Sequence, residues 1–172
     1  NVQGSINRHF INNISANGLP TFITGVSVYF DFPNQNLTAF PAYSLYHLDS
    51  YSRDVAQGNI VQGVAPTQIG RRIDGTLEID CWNTTRSPSG VRNNSAIIQL
   101  RAMRDMVHFM FNSARETLIR DVYGGTAVTA NVTGIVRFGD IAESEIMMNK
   151  DADNVRRIRM LVDYWYIERQ AR

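Results

Sequence analysis

Three histidines, one cysteine and two short acidic stretches are the residues of this 172-residue chain whose types suit acid–base, nucleophilic or metal chemistry. His9, His47 and His108 fall in a helical pattern, a strand-like pattern and a second helical pattern, with no pair at metal spacing. A zinc centre draws three or four clustered ligands, so no metal is expected. Cys81 is alone, which rules out an internal disulfide, and its strand-like setting reads as a buried thiol. Nothing in the sequence places a histidine beside it as a base. Asp140, Glu143 and Glu145 sit at a turn and strand edge, while Asp151 and Asp153 lack the glycine and distal glutamate of a calcium loop. Both groups read as solvated surface charge. Gly124-Gly125 has no phosphate-binding lysine and reads as a helix terminator. No nucleophile elbow, phosphate loop or dinucleotide fingerprint follows a strand. The expectation is a protein that is not an enzyme and uses no cofactor.

The arginines offer a different chemistry. Arg71 and Arg72 stand at one end of a strand-like run, and Arg86 with Arg92 at the other. Three readings stay open for them. They contact DNA phosphates, which requires charge and no sequence code; they fork onto carboxylates of a neighbouring subunit; or they are ordinary solvated loop residues. Aromatic residues are not interleaved with them as in a stacking platform for single strands. Lys150 is the only lysine among 17 basic residues. Arginine is the better interface residue because its planar fork binds carboxylates in two places, although codon bias yields the same preference.

Composition bounds the class. Hydrophobic residues make up 44% and charged residues 19%, which is globular rather than disordered. The length suits one domain, 1–172, with a real core. A net charge of +1 gives no field strong enough to recruit nucleic acid or membrane. No apolar run is long enough to span a bilayer, so no membrane partner is expected. No basic-then-apolar leader is visible. The chain opens on Asn1 rather than methionine, which points to a short missing N-terminal piece. The Asn-X-Ser/Thr triplets at Asn13, Asn36, Asn83, Asn93 and Asn131 are read as a product of asparagine-rich composition.

The elements that must position these residues follow from periodicity. Ile6, Phe10, Ile11 and Ile14, with Ser5 as cap and Gly18-Leu19-Pro20 as stop, predict a short helix. Thr24 to Phe32 puts Val26, Val28, Phe30 and Phe32 on one strand face. Ala42 to Leu48 is a second strand, and Ile73 to Asn83 a third. The intervening Asp49 to Arg72 has no clear period, and 49–72 is read as a partner-facing loop or hairpin. After a polar loop, Asn94 or Ser95 caps a long helix reaching Ile119. Its apolar stripe is Ala96, Leu100, Met103, Val107, Met110, Ala114 and Leu118. Val128, Ala130 and Val132 alternate, Gly134 to Phe138 continues them across a bend, and Ile141 to Met148 fits either strand or helix. The closing strand alternates Ile158, Met160, Val162, Tyr164 and Tyr166 with Arg159, Leu161, Asp163, Trp165 and Ile167. Its second face is also largely apolar and needs cover, from a neighbouring subunit for example. The predicted class is α+β: a mainly antiparallel sheet with one long amphipathic helix packed across it and a short N-terminal helix.

Leu77-Glu78-Ile79-Asp80-Cys81-Trp82, a polar turn, then Ala96 to Leu100 and Met103-Arg104-Asp105-Met106 resembles the tail terminator proteins of tailed bacteriophages. Arg159 to Tyr164 is similar to that family's closing strand, and Phe30 to Pro33 and Pro41 to Tyr43 to its early strands. The likeness runs between Val26 and Tyr166 and is one of pattern and element order. It implies a virion structural protein of the tail and neck, assembled in the host cytoplasm. Such a subunit forms a homohexameric ring that caps the tail tube, stops its polymerisation and joins it to the head-side connector. The implied partners are further copies of the chain, the tail-tube protein and the head–tail connector or neck protein, with non-specific contact to DNA passing through. Ring closure needs two unlike patches on each subunit. The residues expected at a subunit interface or lumen are Arg71, Arg72, Arg86, Arg92, Tyr164, Trp165 and Tyr166. Alternatives are another neck or head-completion adaptor, a tail-tube subunit and, more distantly, a small hydrolase or nucleotide-binding enzyme.

Overall fold

A computed structural model of the chain describes residues 2–17, 25–30, 39–48, 50–54, 68–86, 92, 94–120, 132–148 and 154–171. Among them are two helices, α1 (Val2–Asn17) and α2 (Ala96–Ser113). The strands are β1 (Ser27–Phe30), β2 (Ala42–His47), β3 (Tyr51–Asp54), β4 (Gln68–Thr84), β5 (Glu116–Arg120), β6 (Val132–Met148) and β7 (Val155–Ala171). They form one seven-stranded sheet in the order β1-β2-β4-β7-β6-β5, with β3 pairing β4 off that path.

This architecture corrects the expected fold class. The molecule is mostly sheet, curled into a half-barrel, with two helices rather than one long helix laid over a sheet. The N-terminal helix is not short: it has 16 residues against 18 for α2. Ser5 lies inside it rather than capping it, and the expected stop at 18–20 is outside the described residues. The long helix also ends early. Ala114 takes φ −126° and ψ 73°, leaving helical geometry, and β5 starts at Glu116. Thr117 and Ile119 are β-branched and favour a strand; Leu118 matched the helical stripe by spacing alone, and it is exposed while Ile119 is buried. Ser95 makes no side-chain cap bond; the Asn83 amide instead ties this end of α2 to β4, donating to Ala96 O (3.3 Å) and Gln99 Oε1 (2.7 Å).

The sheet departs from simple antiparallel order at one edge, where β1 runs parallel to β2. Residues 68–72 extend β4 beyond the expected third strand, and β3 pairs antiparallel across the junction, Tyr51 opposite Asp74 and Asp54 opposite Arg71. Asp49 and residues 55–67 of the 49–72 segment lie outside the described residues, as do Val128, Ala130 and the 149–153 turn. The stretch that fitted either strand or helix is strand: β6 runs unbroken to Met148, with register shifts at 138/141 and 144/147. Such bulges let a long strand bend, as a curled sheet requires.

Alternation decides the core. On β4, Leu77, Ile79 and Cys81 face the helices; on β7, Ile158, Met160, Val162 and Tyr164 do so. Leu100, Met103, Val107, Met110 and Phe111 of α2 and Ile6 and Phe10 of α1 close over them. Phe10 meets Tyr43 edge-on at 5.2 Å, and the buried Tyr43 hydroxyl donates to Met103 O at 3.0 Å. Gly75 explains itself here: a Cβ would lie 2.5 Å from Tyr164 Cζ, so the tyrosine ring occupies the space a side chain would need.

Candidate interaction face

The face of β4 and β7 turned away from the helices carries what the core does not. Even-numbered β4 residues from Arg72 to Trp82 share it with odd-numbered β7 residues from Arg157 to Ile167, because Asp80 pairs Arg159 and Trp82 pairs Arg157. At its centre two carboxylates interlock with two guanidiniums. Arg157 Nη2 lies 2.6 Å from Asp80 Oδ2 and 3.0 Å from Glu78 Oε1. Arg159 lies 2.8 Å from Glu78 Oε1 through Nη2 and 3.4 Å from Asp80 Oδ1 through Nε. The Arg157 guanidinium also rests over the Trp82 ring at 4.8 Å, and Trp82 Nε1 donates to Ser44 Oγ on β2 at 2.9 Å.

The group is dry for a charged cluster: the Asp80 side chain is 2% exposed and that of Glu78 8%. Burial raises both carboxyl pKa values, for Glu78 with added repulsion from Asp80, while the guanidinium of Arg157 pulls both back. With Glu78 Oε1 and both Asp80 oxygens held by the two arginines and little solvent contact, neither carboxylate is placed as a general acid or base for a substrate. A buried ion cluster of this kind fixes register and orientation more than it adds stability.

A second cluster lies further along the same face. Trp165 is sandwiched by Arg72 (4.6 Å) and Arg137 of β6 (5.0 Å). Arg72 pairs with Asp74 at 2.7 Å, and Arg137 with Glu116 of β5 at 2.7 Å. Beside it runs an apolar row. Leu118 pairs Ile135, and one register step beyond the Val136–Tyr166 pair brings Ile135 next to Ile167; all three are exposed.

The structure therefore divides the expected interface residues. Arg72 and Trp165 come together. Arg71, Tyr164 and Tyr166 lie on the opposite face, where Arg71 stands across from Glu168 and Tyr164 is buried against Gly75. Arg86 and Arg92 are exposed at the far end of β4, joined by an antiparallel bridge. Glu78, Asp80, Arg137, Arg157 and Arg159 were not singled out by sequence. Their signal was present all the same: Glu-X-Asp and Arg-X-Arg at period two inside otherwise apolar strands.

The histidines stay apart in function as well. His47 bonds Asn7 Oδ1 at 2.9 Å, joining β2 to α1, and His108 meets Glu143 with Arg104 nearby at 3.9 Å. No group of three or more potential metal ligands occurs among the described residues. The Cys81 thiol is fully buried, and burial pushes its pKa well up. Gly124, Gly125, Asp151, Asp153 and the Glu145 side chain lie outside the described residues.

His9 is the pH-sensitive joint. It stacks on Phe138 at 5.2 Å, and its Nε2 lies 3.2 Å from Ala114 O. Burial lowers its pKa from 6.5, with the Ala114 carbonyl pulling it partly back. The unfolded chain thus binds this proton more readily than the fold, so the stability His9 contributes is present above about pH 6.5 and lost as pH falls through the folded value. Glu78 and Asp80, raised, act in the opposite sense. Urea midpoints of wild type and His9→Gln at pH 7.5 and 5 isolate the histidine: the wild-type midpoint is expected to fall further on acidification than the variant's.

The chain matches no known protein family and no curated protein sequence.

Proposed function

We propose that this chain is a structural subunit that joins copies of itself into a ring capping the tail tube of a tailed phage, ending its growth and joining it to the head-side connector. The observation that carries the reading is the sheet with two unlike ends. Among the described residues β1 and β5 pair on one side only, and β1 is parallel to its neighbour while β5 is antiparallel. Two different edges on one subunit suit head-to-tail contacts that close by rotation, since an unpaired edge is a template for another strand. The interlocked Glu78–Asp80–Arg157–Arg159 set stiffens the sheet between them. The sequence pattern of Leu77 to Trp82 followed by α2 supports the tail-terminator assignment in particular.

Negative-stain microscopy with light scattering tests it. Closed rings with a mass near six chains are the expected result, on their own or on the ends of preformed tail tubes. Long fibres of the pure protein point instead to a tube subunit. A protein that stays monomeric at high concentration and does not join tubes overturns the proposal.

A further inference from the structure

The outward side of α2 carries a stripe that the core does not use. Ile98 is 61% exposed and Phe109 53%; only Tyr51 matches them among the exposed large apolar residues described. Arg101 and Asp105 lie between them and are exposed. With a turn of about 3.6 residues, these four fall within an arc of about 80°, directly opposite the buried Leu100, Met103, Val107 and Met110. The stripe has an order: apolar, positive, negative, apolar.

That order is self-complementary when reversed. Two copies of α2 laid antiparallel about a two-fold axis between residues 103 and 104 bring Ile98 of one against Phe109 of the other. The same operation sets Arg101 opposite position 106, within about 1.5 Å along the axis of Asp105 in the second copy. Both residues lie to the same side of the stripe, so the two-fold brings them together rather than across the seam. Both bonds from Arg104 go to Asp105 Oδ1, which leaves Oδ2 for a second guanidinium. A two-fold contact repeats each pairing, giving two apolar and two charged pairs from four residues.

We infer that the exposed face of α2 is an isologous docking surface whose occupant is α2 of a second copy of this chain, paired antiparallel. The contact goes beyond ring closure, which uses unlike patches, and does not rest on it. Its failure appears as loss of a dimer with rings unaffected, whereas failure of the ring reading appears as absence of rings whether or not dimers form.

Sedimentation equilibrium over a range of concentrations tests it, with circular dichroism confirming that each variant folds. Wild type is expected to show a concentration-dependent species of twice the single-chain mass. Arg101→Asp and Asp105→Arg, each placing like charges together twice, are expected to raise the dissociation constant about tenfold. The double variant R101D/D105R restores the opposite pairing and is expected to recover the dimer; Ile98→Asp abolishes it. A wild type of single-chain mass throughout, a folded double variant no tighter than the singles, or a dimer indifferent to Ile98→Asp overturns the inference.

Discussion

Replacing Arg157 by alanine is expected to destabilise the fold by about 3–5 kcal/mol, the cost of breaking a buried ion pair by removing one partner. The reason is specific to this site. Among the described residues, Arg157 is the side chain that contacts Asp80, Glu78 and the Trp82 ring together. Without it two nearly dry carboxylates, already repelling one another, share only Arg159, whose side chain is 27% exposed. In a chain of this size that loss corresponds to a melting temperature lower by about 10 °C. Arg157→Lys is expected to recover only part of the loss: one ammonium can reach both acids, as Nη2 alone does here, but it cannot lie flat on the Trp82 indole. Arg159→Ala should cost clearly less, since its longer 3.4 Å contact and greater exposure leave more of its work to water. Denaturant midpoints of the three variants decide the matter. An Arg157→Ala protein within about 1 kcal/mol of wild type would mean that water reaches the cluster and the network is a surface one.

Phe10→Ala is the second large effect. Phe10 is fully buried and holds α1 onto α2 and the sheet through its edge-on contact with Tyr43. Truncation leaves a cavity and is expected to cost about 3–5 kcal/mol. The loss should not stay local, because Tyr43 is itself bonded to Met103 O in the middle of α2. Hydrogen exchange followed along the chain gives the reading: amides of α1 should lose most of their protection, those of α2 part of it, and those at the β4–β7 centre least. Uniform loss would show instead that α1 has no opening of its own and unfolds only with the whole domain.

Legibility in the sequence tracks whether a residue's partner is local. The α2 stripe from Ala96 to Met110 was readable because a helix bonds within itself and its period is set by one buried side. The same rule misled at Ala114 and Leu118, where steps of four carried the pattern past the real end of the helix. The core-facing sides of β2, β4 and β7 were readable from alternation, Tyr43 with Leu45 and Met160 with Val162. Strand order and direction were not, because pairing is decided by residues far apart: nothing in Ser27–Phe30 says that its neighbour runs parallel. The extension of β4 through Gln68–Arg72 was hidden for a related reason. A strand end carrying arginines has no apolar alternation to betray it, and its place is set by β3 and β7 on either side. The ion network failed to show for the opposite reason to the arginine ends. Its members are spaced as a strand face requires, but spacing within one strand names no partner, and only the pairing of residues 79 apart in sequence turns it into a dry cluster.

The unbroken ladder between β4 and β7 also sets how this chain must fold. All 17 positions of each are paired, and the partners are separated by 71 residues at Thr84–Val155 and 103 at Gln68–Ala171. The backbone entropy of closing so long a loop is spent before any of these pairs repays it, which places such topologies in the millisecond-to-second range of folding times rather than the microsecond range of helical bundles. During synthesis β4 waits, with one side unpaired, until β7 has left the ribosome. At about 5–20 residues per second that interval lasts several seconds. The strand at the centre of the finished sheet is thus, for that time, its most exposed edge, and it carries charges, Glu78 and Asp80 among them, of the kind that blunts an edge against pairing with another chain.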